Sequence, residues 1–221
     1  MAEADTGEPE INGPETNEEA AAPDTEKKKE ANKPSLGFSV LRDAALLFAL
    51  LTLWGAGDAW SQTSGLVIAE FVALGNAAFI GLILGAIWHE WGHYLGAQFS
   101  GAKAEMIAPR GLSLLRFNFD FEENDRRQFH WMTYGGWIAQ WGLVIVLLIL
   151  IPMDSSNRVA LVSAAVAFAV FANAIEIPVI MESRRGTDPQ EALRMHVDQS
   201  AFVRSGIIGG VTGLFCFALI T

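Results

Sequence analysis

The sequence predicts an all-α, polytopic membrane protein: about five transmembrane helices, a small membrane-associated β-hairpin and a disordered N-terminal tail. Three features predict it. Hydrophobic residues make up 51% of the 221 positions and mean hydropathy is positive, which suits a small multi-span membrane protein better than a soluble domain. Apolar stretches recur near residues 38–57, 66–98, 133–153, 159–181 and 205–221, and roughly 20 residues cross the hydrocarbon core at about 1.5 Å per residue. Basic residues are also asymmetric. With the N-terminus in the cytoplasm, all of the 15 Lys and Arg except Arg158 fall in cytoplasmic segments, the bias that sets orientation in a membrane.

Residues 1–35 come first. They set ten acidic residues against Lys27, Lys28, Lys29 and Lys33 and hold almost no large apolar side chain, so burial cannot offset the entropy of ordering them. This tail supplies −6 of the net charge of −10, and the remainder gives no reason to expect a nucleic-acid partner. It also lacks the charged start and apolar core of a cleavable secretory signal, so the first span is expected to remain.

Residues 36–221 read as one membrane domain. The first span is short between Asp43 and Asp58 and draws on residues 36–40, with Arg42 snorkelling at its end. The second, third and fourth are long enough outright, and the fifth is marginal. Trp54, Trp60, Trp88, Trp91 and Trp131 stand near span ends, where amphipathic rings suit the interface. The single cysteine, Cys216, rules out a disulfide framework or a cysteine metal site.

Between the second and third spans, Arg116-Phe117-Asn118-Phe119-Asp120-Phe121-Glu122 alternates polar and apolar residues, the pattern of a strand with one buried face. Residues 104–108 are expected to pair with it across Pro109-Arg110-Gly111, giving a hairpin over about 103–122. Such a hairpin either packs on the bundle or offers an edge to an extended peptide.

The inner end of the second span carries His89-Glu90-Trp91-Gly92-His93. On a helix, residues four apart share a face, so both imidazoles can reach one metal ion while Glu90 holds a water beside it. Ionisable groups within a span cost about 2.5–3.5 kcal/mol each on insertion scales, so three in five positions call for a ligand or a function. The chemistry this pattern suits is Zn2+-assisted hydrolysis, with Glu90 as general base. Two histidines leave a tetrahedral site short of a third protein ligand. Glu176, in the fourth span, lies about 26 Å from Val159, a depth close to that of His89.

The stretch His89-Glu90-Trp91-Gly92-His93-Tyr94-Leu95-Gly96-Ala97, followed by Phe99-Ser100-Gly101-Ala102-Lys103, resembles the zinc-binding helix and following turn of the site-2 protease family of intramembrane metalloproteases. Tyr134-Gly135-Gly136-Trp137-Ile138-Ala139-Gln140 is similar to the small-residue segment opening that family's next helix, where proline and asparagine often stand at the places of Trp137 and Gln140. Asn173 opens a segment similar to its Asn-x-x-Pro. The resemblance spans about residues 66–195.

The family's third ligand is an aspartate a few residues after Asn-x-x-Pro. Here Glu176 replaces that proline, Pro178 follows two residues later, and the next aspartate is Asp188. Asp188 precedes Leu193 and Arg194 at a spacing similar to the family's, so the resemblance favours it as ligand with seven extra residues looped out. Depth favours Glu176, and Glu182 or water are further alternatives. Asp188-Pro189-Gln190-Glu191 also reads as a helix start.

The resemblance implies a metalloendopeptidase that cleaves a membrane-protein substrate within or near a transmembrane segment. It also implies Asn173 as a substrate-positioning residue and a strand that binds extended substrate. The expected setting is the lipid bilayer of the bacterial cytoplasmic membrane. A non-catalytic scaffold or chaperone for transmembrane helices, keeping a vestigial metal site, is the alternative. A metal transporter would need ligands along a path through several spans, and only Glu70 and Glu176 offer themselves.

Overall fold

The computed structural model describes residues 34–107 and 117–221. Residues 1–33 of the acidic tail and the turn expected at Pro109-Arg110-Gly111 lie outside the described residues. Helix α1, Leu36–Ser64, starts where the Ser35 side chain accepts a hydrogen bond from the Phe38 amide at 3.2 Å. It stops at Gly65, whose φ of 63° suits a residue without a Cβ. The chain then reverses into α2, Val67–Phe99. Strands β1, Ala104–Met106, and β2, Phe117–Phe119, pair antiparallel with Glu105 opposite Asn118. Helix α3, Arg126–Leu150, opens on a capping box formed by Asp125 and Gln128. Helix α4, Ser156–Arg184, is capped by Ser155 and continues through Pro178. A short α5, Pro189–His196, leads to α6, Gln199–Ile220.

Five of these helices are long and apolar enough to cross a membrane: α1, α2, α3, α4 and α6. Their outer surfaces carry side chains such as Phe48, Ile149 and Leu214, each more than two-thirds exposed. An apolar perimeter of that extent requires lipid around it. The protein is an integral, multi-pass membrane protein.

Four expectations about the elements are adjusted. The third span begins about seven residues earlier than expected, because the Asp125 cap starts the helix before the apolar run does. The expected strand through Glu122 ends at Phe119, since the Asp120 carboxylate accepts the amides of Glu122 and Glu123 and turns the chain. The first span extends beyond Asp58 to Ser64, because Asp58 is satisfied by Arg158 of α4 at 3.0 Å and by Gln62 at 2.8 Å. The segment expected to loop out before Asp188 is helical as far as Arg184.

Helix α2 packs on α1, α3 and α4, and α4 packs on α2, α3, α5 and α6. Small residues set the closeness of these crossings. A Cβ at Gly92 would stand 2.5 Å from the Gly135 carbonyl oxygen, and one at Gly81 would meet the Leu161 carbonyl. The buried side chains form two clusters. One joins Leu50, Ile80, Ile87, Leu143 and Leu161 from α1 to α4. The other joins Ala97, Met106, Phe117, Phe119, Phe129 and Val179 and seats the hairpin on the helix ends. The polar residues of interest lie between the two, after Ile87 on α2 and before Val179 on α4.

Candidate metal centre

Helical spacing places His89 and His93 on one face of α2, both buried, with their Nε2 atoms 2.8 Å apart. Helix α4 brings Glu176 against them. Its Oε1 lies 3.0 Å from Nε2 of His89 and 2.9 Å from Nε2 of His93. Among the described residues, these three form the group whose possible ligand atoms all lie within 4.8 Å of one another.

The donor set fits a zinc-like ion. Two imidazole nitrogens and a carboxylate oxygen are ordinary zinc ligands, and tetrahedral bonds of about 2.0–2.1 Å put ligand atoms about 3.3 Å apart. Here the separations are 2.8–3.0 Å, so the three atoms need to spread by only a few tenths of an ångström. Three atoms that bring lone pairs to one point also repel unless a cation, metal ion or proton, is shared between them.

Helix α3 orients the set. His93 Nδ1 donates to the Met132 carbonyl at 3.0 Å, which leaves its Nε2 as the ligating nitrogen. The Trp137 indole donates to Glu176 Oε2, so the other carboxylate oxygen, Oε1, faces the histidines. Gly136 supplies room for both rings: a Cβ there would lie 2.5 Å from His93 Cε1 and 2.9 Å from His89 Cε1. The remaining ring nitrogen of His89, Nδ1, is buried and has no protein partner among the described residues. The His89 ring meets Phe168 edge-on at 5.8 Å.

Glu90 is half-buried and stands outside the ligand group, yet it shares a cavity of about 440 Å3 with His89, His93 and Glu176. Phe117, Asn118 and Phe119 of β2 form part of the same cavity wall. That volume and a mostly apolar lining with few polar groups suit a binding site. A potential base, a ligand set and a strand are therefore together in one enclosure.

Asp188 is not brought to the histidines. It is exposed and caps α5, accepting the amides of Gln190 at 2.9 Å and Glu191 at 3.3 Å. The preference for Asp188 as third ligand thus gives way to the alternative, Glu176, because α4 stays helical past Pro178 and carries the chain beyond the site before Asp188 is reached. Glu182 is also elsewhere, accepting from Thr187 and paired with Arg185. Asn173 accepts from the buried Gln140 amide at 2.6 Å and is not part of the cavity wall, so its contact ties α3 to α4. His130 lies 3.0 Å from the Ser183 hydroxyl, and His196 falls in the last turn of α5.

Three residues, two at the site and one on α1 beside Trp91, hold roles that the sequence does not assign. Trp137 stood out only as a departure from a proline, and Gly136 only as a small residue. Asp43 bounds an apolar run in the sequence, yet it is 2% exposed and accepts from the Trp91 indole at 2.9 Å and from Arg42 at 2.8 Å. A carboxylate inside a span was the available signal, since such a group needs a partner there. Compared with protein-family models, with curated proteins and with solved structures, the chain matches none.

Proposed function

We propose that this protein is an intramembrane zinc metalloprotease that hydrolyses a peptide bond in or near a transmembrane segment of another membrane protein. The observation that carries the proposal is the convergence of His89, His93 and Glu176 on one point, with Glu90 in the same cavity. His89, His93 and Glu176 would hold the ion, and a bound zinc supplies Lewis acidity toward a carbonyl oxygen and toward water. Glu90 takes the proton of the water whose oxygen attacks the scissile carbonyl carbon. It then delivers that proton to the amide nitrogen as the carbon–nitrogen bond breaks. Trp137 and Met132 keep the ligands oriented. Phe117, Phe119, Phe129 and Phe168 give the cavity a largely apolar wall.

Support for the substrate class comes from β2. Among the described residues β2 pairs with β1 alone, and it borders the cavity, where an extended peptide could add along it by main-chain hydrogen bonds. The distribution of Lys and Arg supports a cytoplasmic N-terminus, with the site nearer the cytoplasmic face; the bacterial inner membrane is the setting that the resemblance implies.

The test is zinc content of purified, detergent-solubilised protein, set beside cleavage of quenched fluorescent transmembrane peptides. About one zinc per chain is expected in the wild type. Glu90→Gln should keep the metal and lose cleavage, Glu176→Ala should lose both, and Asp188→Ala should keep both. Wild-type protein without zinc after metal-replete purification would refute the proposal and favour a non-catalytic scaffold for transmembrane helices.

A further inference from the structure

A second cavity of about 840 Å3 runs along the membrane-facing side of the bundle between α2, α4 and α6. On α2 it extends from Phe71 to Ala86, about 22 Å of helix rise and hence most of the hydrocarbon thickness. Small residues make up about half of its lining, beside larger ones such as Phe71, Leu82 and Phe217. Gly75 on α2 and Gly206 and Gly210 on α6 line it, and a Cβ on any of the three would meet nothing within 4 Å. These glycines therefore serve no packing inside the chain, unlike Gly209 and Gly213, whose added Cβ would meet α4. Each costs helix stability relative to alanine. Gly206 and Gly210 are four residues apart on an apolar helix, the spacing that lets two membrane helices approach closely.

A polar group points the same way. Ser163 lines the groove, is 3% exposed, and its hydroxyl has no partner among the described residues. An unpaired hydroxyl in an apolar setting calls for a ligand that brings a hydrogen-bonding group. The groove is also continuous with the candidate metal centre. Phe168 and Phe171 line both cavities, with ring centroids 5.9 Å apart, and Phe168 touches His89.

We infer that this groove docks the transmembrane helix of a membrane-protein partner through a small-residue face, with the Ser163 hydroxyl bonding a serine, threonine or carbonyl of that helix. The Phe168–Phe171 wall divides the docked helix from the metal centre. Naming this partner as the substrate rests on the protease proposal; the docking itself does not.

The test uses full-length protein in nanodiscs, in a Glu90→Gln background that prevents turnover. The probe is a synthetic leucine-rich single-span peptide with a Gly-x-x-x-Gly face and a central serine, its binding followed by energy transfer to labelled protein. Gly210→Leu and the milder Gly206→Ala are expected to weaken binding, the former at least tenfold. Gly142→Leu also places its Cβ in open space, on α3 away from the groove, and should leave binding unchanged. Ser163→Ala should remove the preference for a serine probe over an alanine probe. Equal binding by Gly210→Leu and Gly142→Leu overturns the inference. So does energy transfer between two copies that Gly210→Leu abolishes in the absence of probe, since the surface is then one of self-association. Probe binding in a protein that holds no zinc would leave the groove standing and remove the protease; in protein that retains Glu90, an unchanged KM for cleavage by Gly210→Leu would keep the protease and overturn the groove as its substrate dock.

Discussion

Gly136→Ala separates a metal site from a fortuitous meeting of polar side chains. The added methyl would sit 2.5 Å from His93 Cε1, 2.7 Å from its Nδ1 and 2.9 Å from His89 Cε1. Ordinary carbon contacts are about 3.5–4 Å, so the rings or α3 must yield by about 1 Å. Zinc ligand distances tolerate about 0.2 Å, and the displacement is several times larger. Overpacking of this kind costs about 1–3 kcal/mol, offset in part by about 1 kcal/mol because alanine is the better helix former. Apo-protein stability should therefore change by less than about 2 kcal/mol. Zinc affinity should fall at least tenfold, about 1.4 kcal/mol or more. Competition against a chromogenic chelator in micelles reads the affinity, and denaturant unfolding reads the stability. Gly142→Ala is the control, because its methyl meets nothing within 4 Å. Wild-type zinc affinity in Gly136→Ala would refute the assigned geometry, since the two rings could not then be ligating where they stand.

Further outcomes follow from neighbouring contacts. Trp137→Phe keeps an aromatic ring beside Tyr134 but removes the donor to Glu176 Oε2, so zinc affinity should drop about 10- to 100-fold in the same titration. Asp43→Leu leaves the Trp91 indole N–H without its acceptor and should destabilise the protein by about 1–3 kcal/mol more than Asp43→Asn, measured by unfolding in mixed micelles. The Asp120 carboxylate is held below the usual carboxylate range, first by the Glu123 amide and then by that of Glu122. Because the folded value is the lower one, its contribution is present above about pH 4 and is lost as pH falls through the folded value. Hydrogen exchange of the Glu122 and Glu123 amides should be unchanged from pH 7 to about pH 5 beyond the intrinsic rate, and protection should fade only in stronger acid.

Much of this protein is determined locally. Five apolar runs of spanning length can satisfy their backbones in lipid only as helices, so the helical membrane class needs no knowledge of long-range contacts. The His89/Glu90/His93 arrangement is equally local, because a spacing of four residues fixes a shared face on any helix. The hairpin was legible for the same reason, as Phe117 and Phe119 alternate with Asn118 in burial. What lies 80 residues apart was legible only in part: depth offers Glu176 as an alternative ligand, but not its contact with both histidines. The partnership of His89 with Glu176 depends on the angle at which α2 and α4 cross, set by close contacts such as Gly81 on the Leu161 carbonyl and Gly85 on Phe168. The family resemblance favours Asp188, which folding assigns to capping α5 because α4 does not break at Pro178. Trp137, Gly136 and Asp43 were unreadable for a common physical reason: an indole, a missing Cβ and a buried carboxylate acquire roles only from the groups that packing places within hydrogen-bond or contact distance of them.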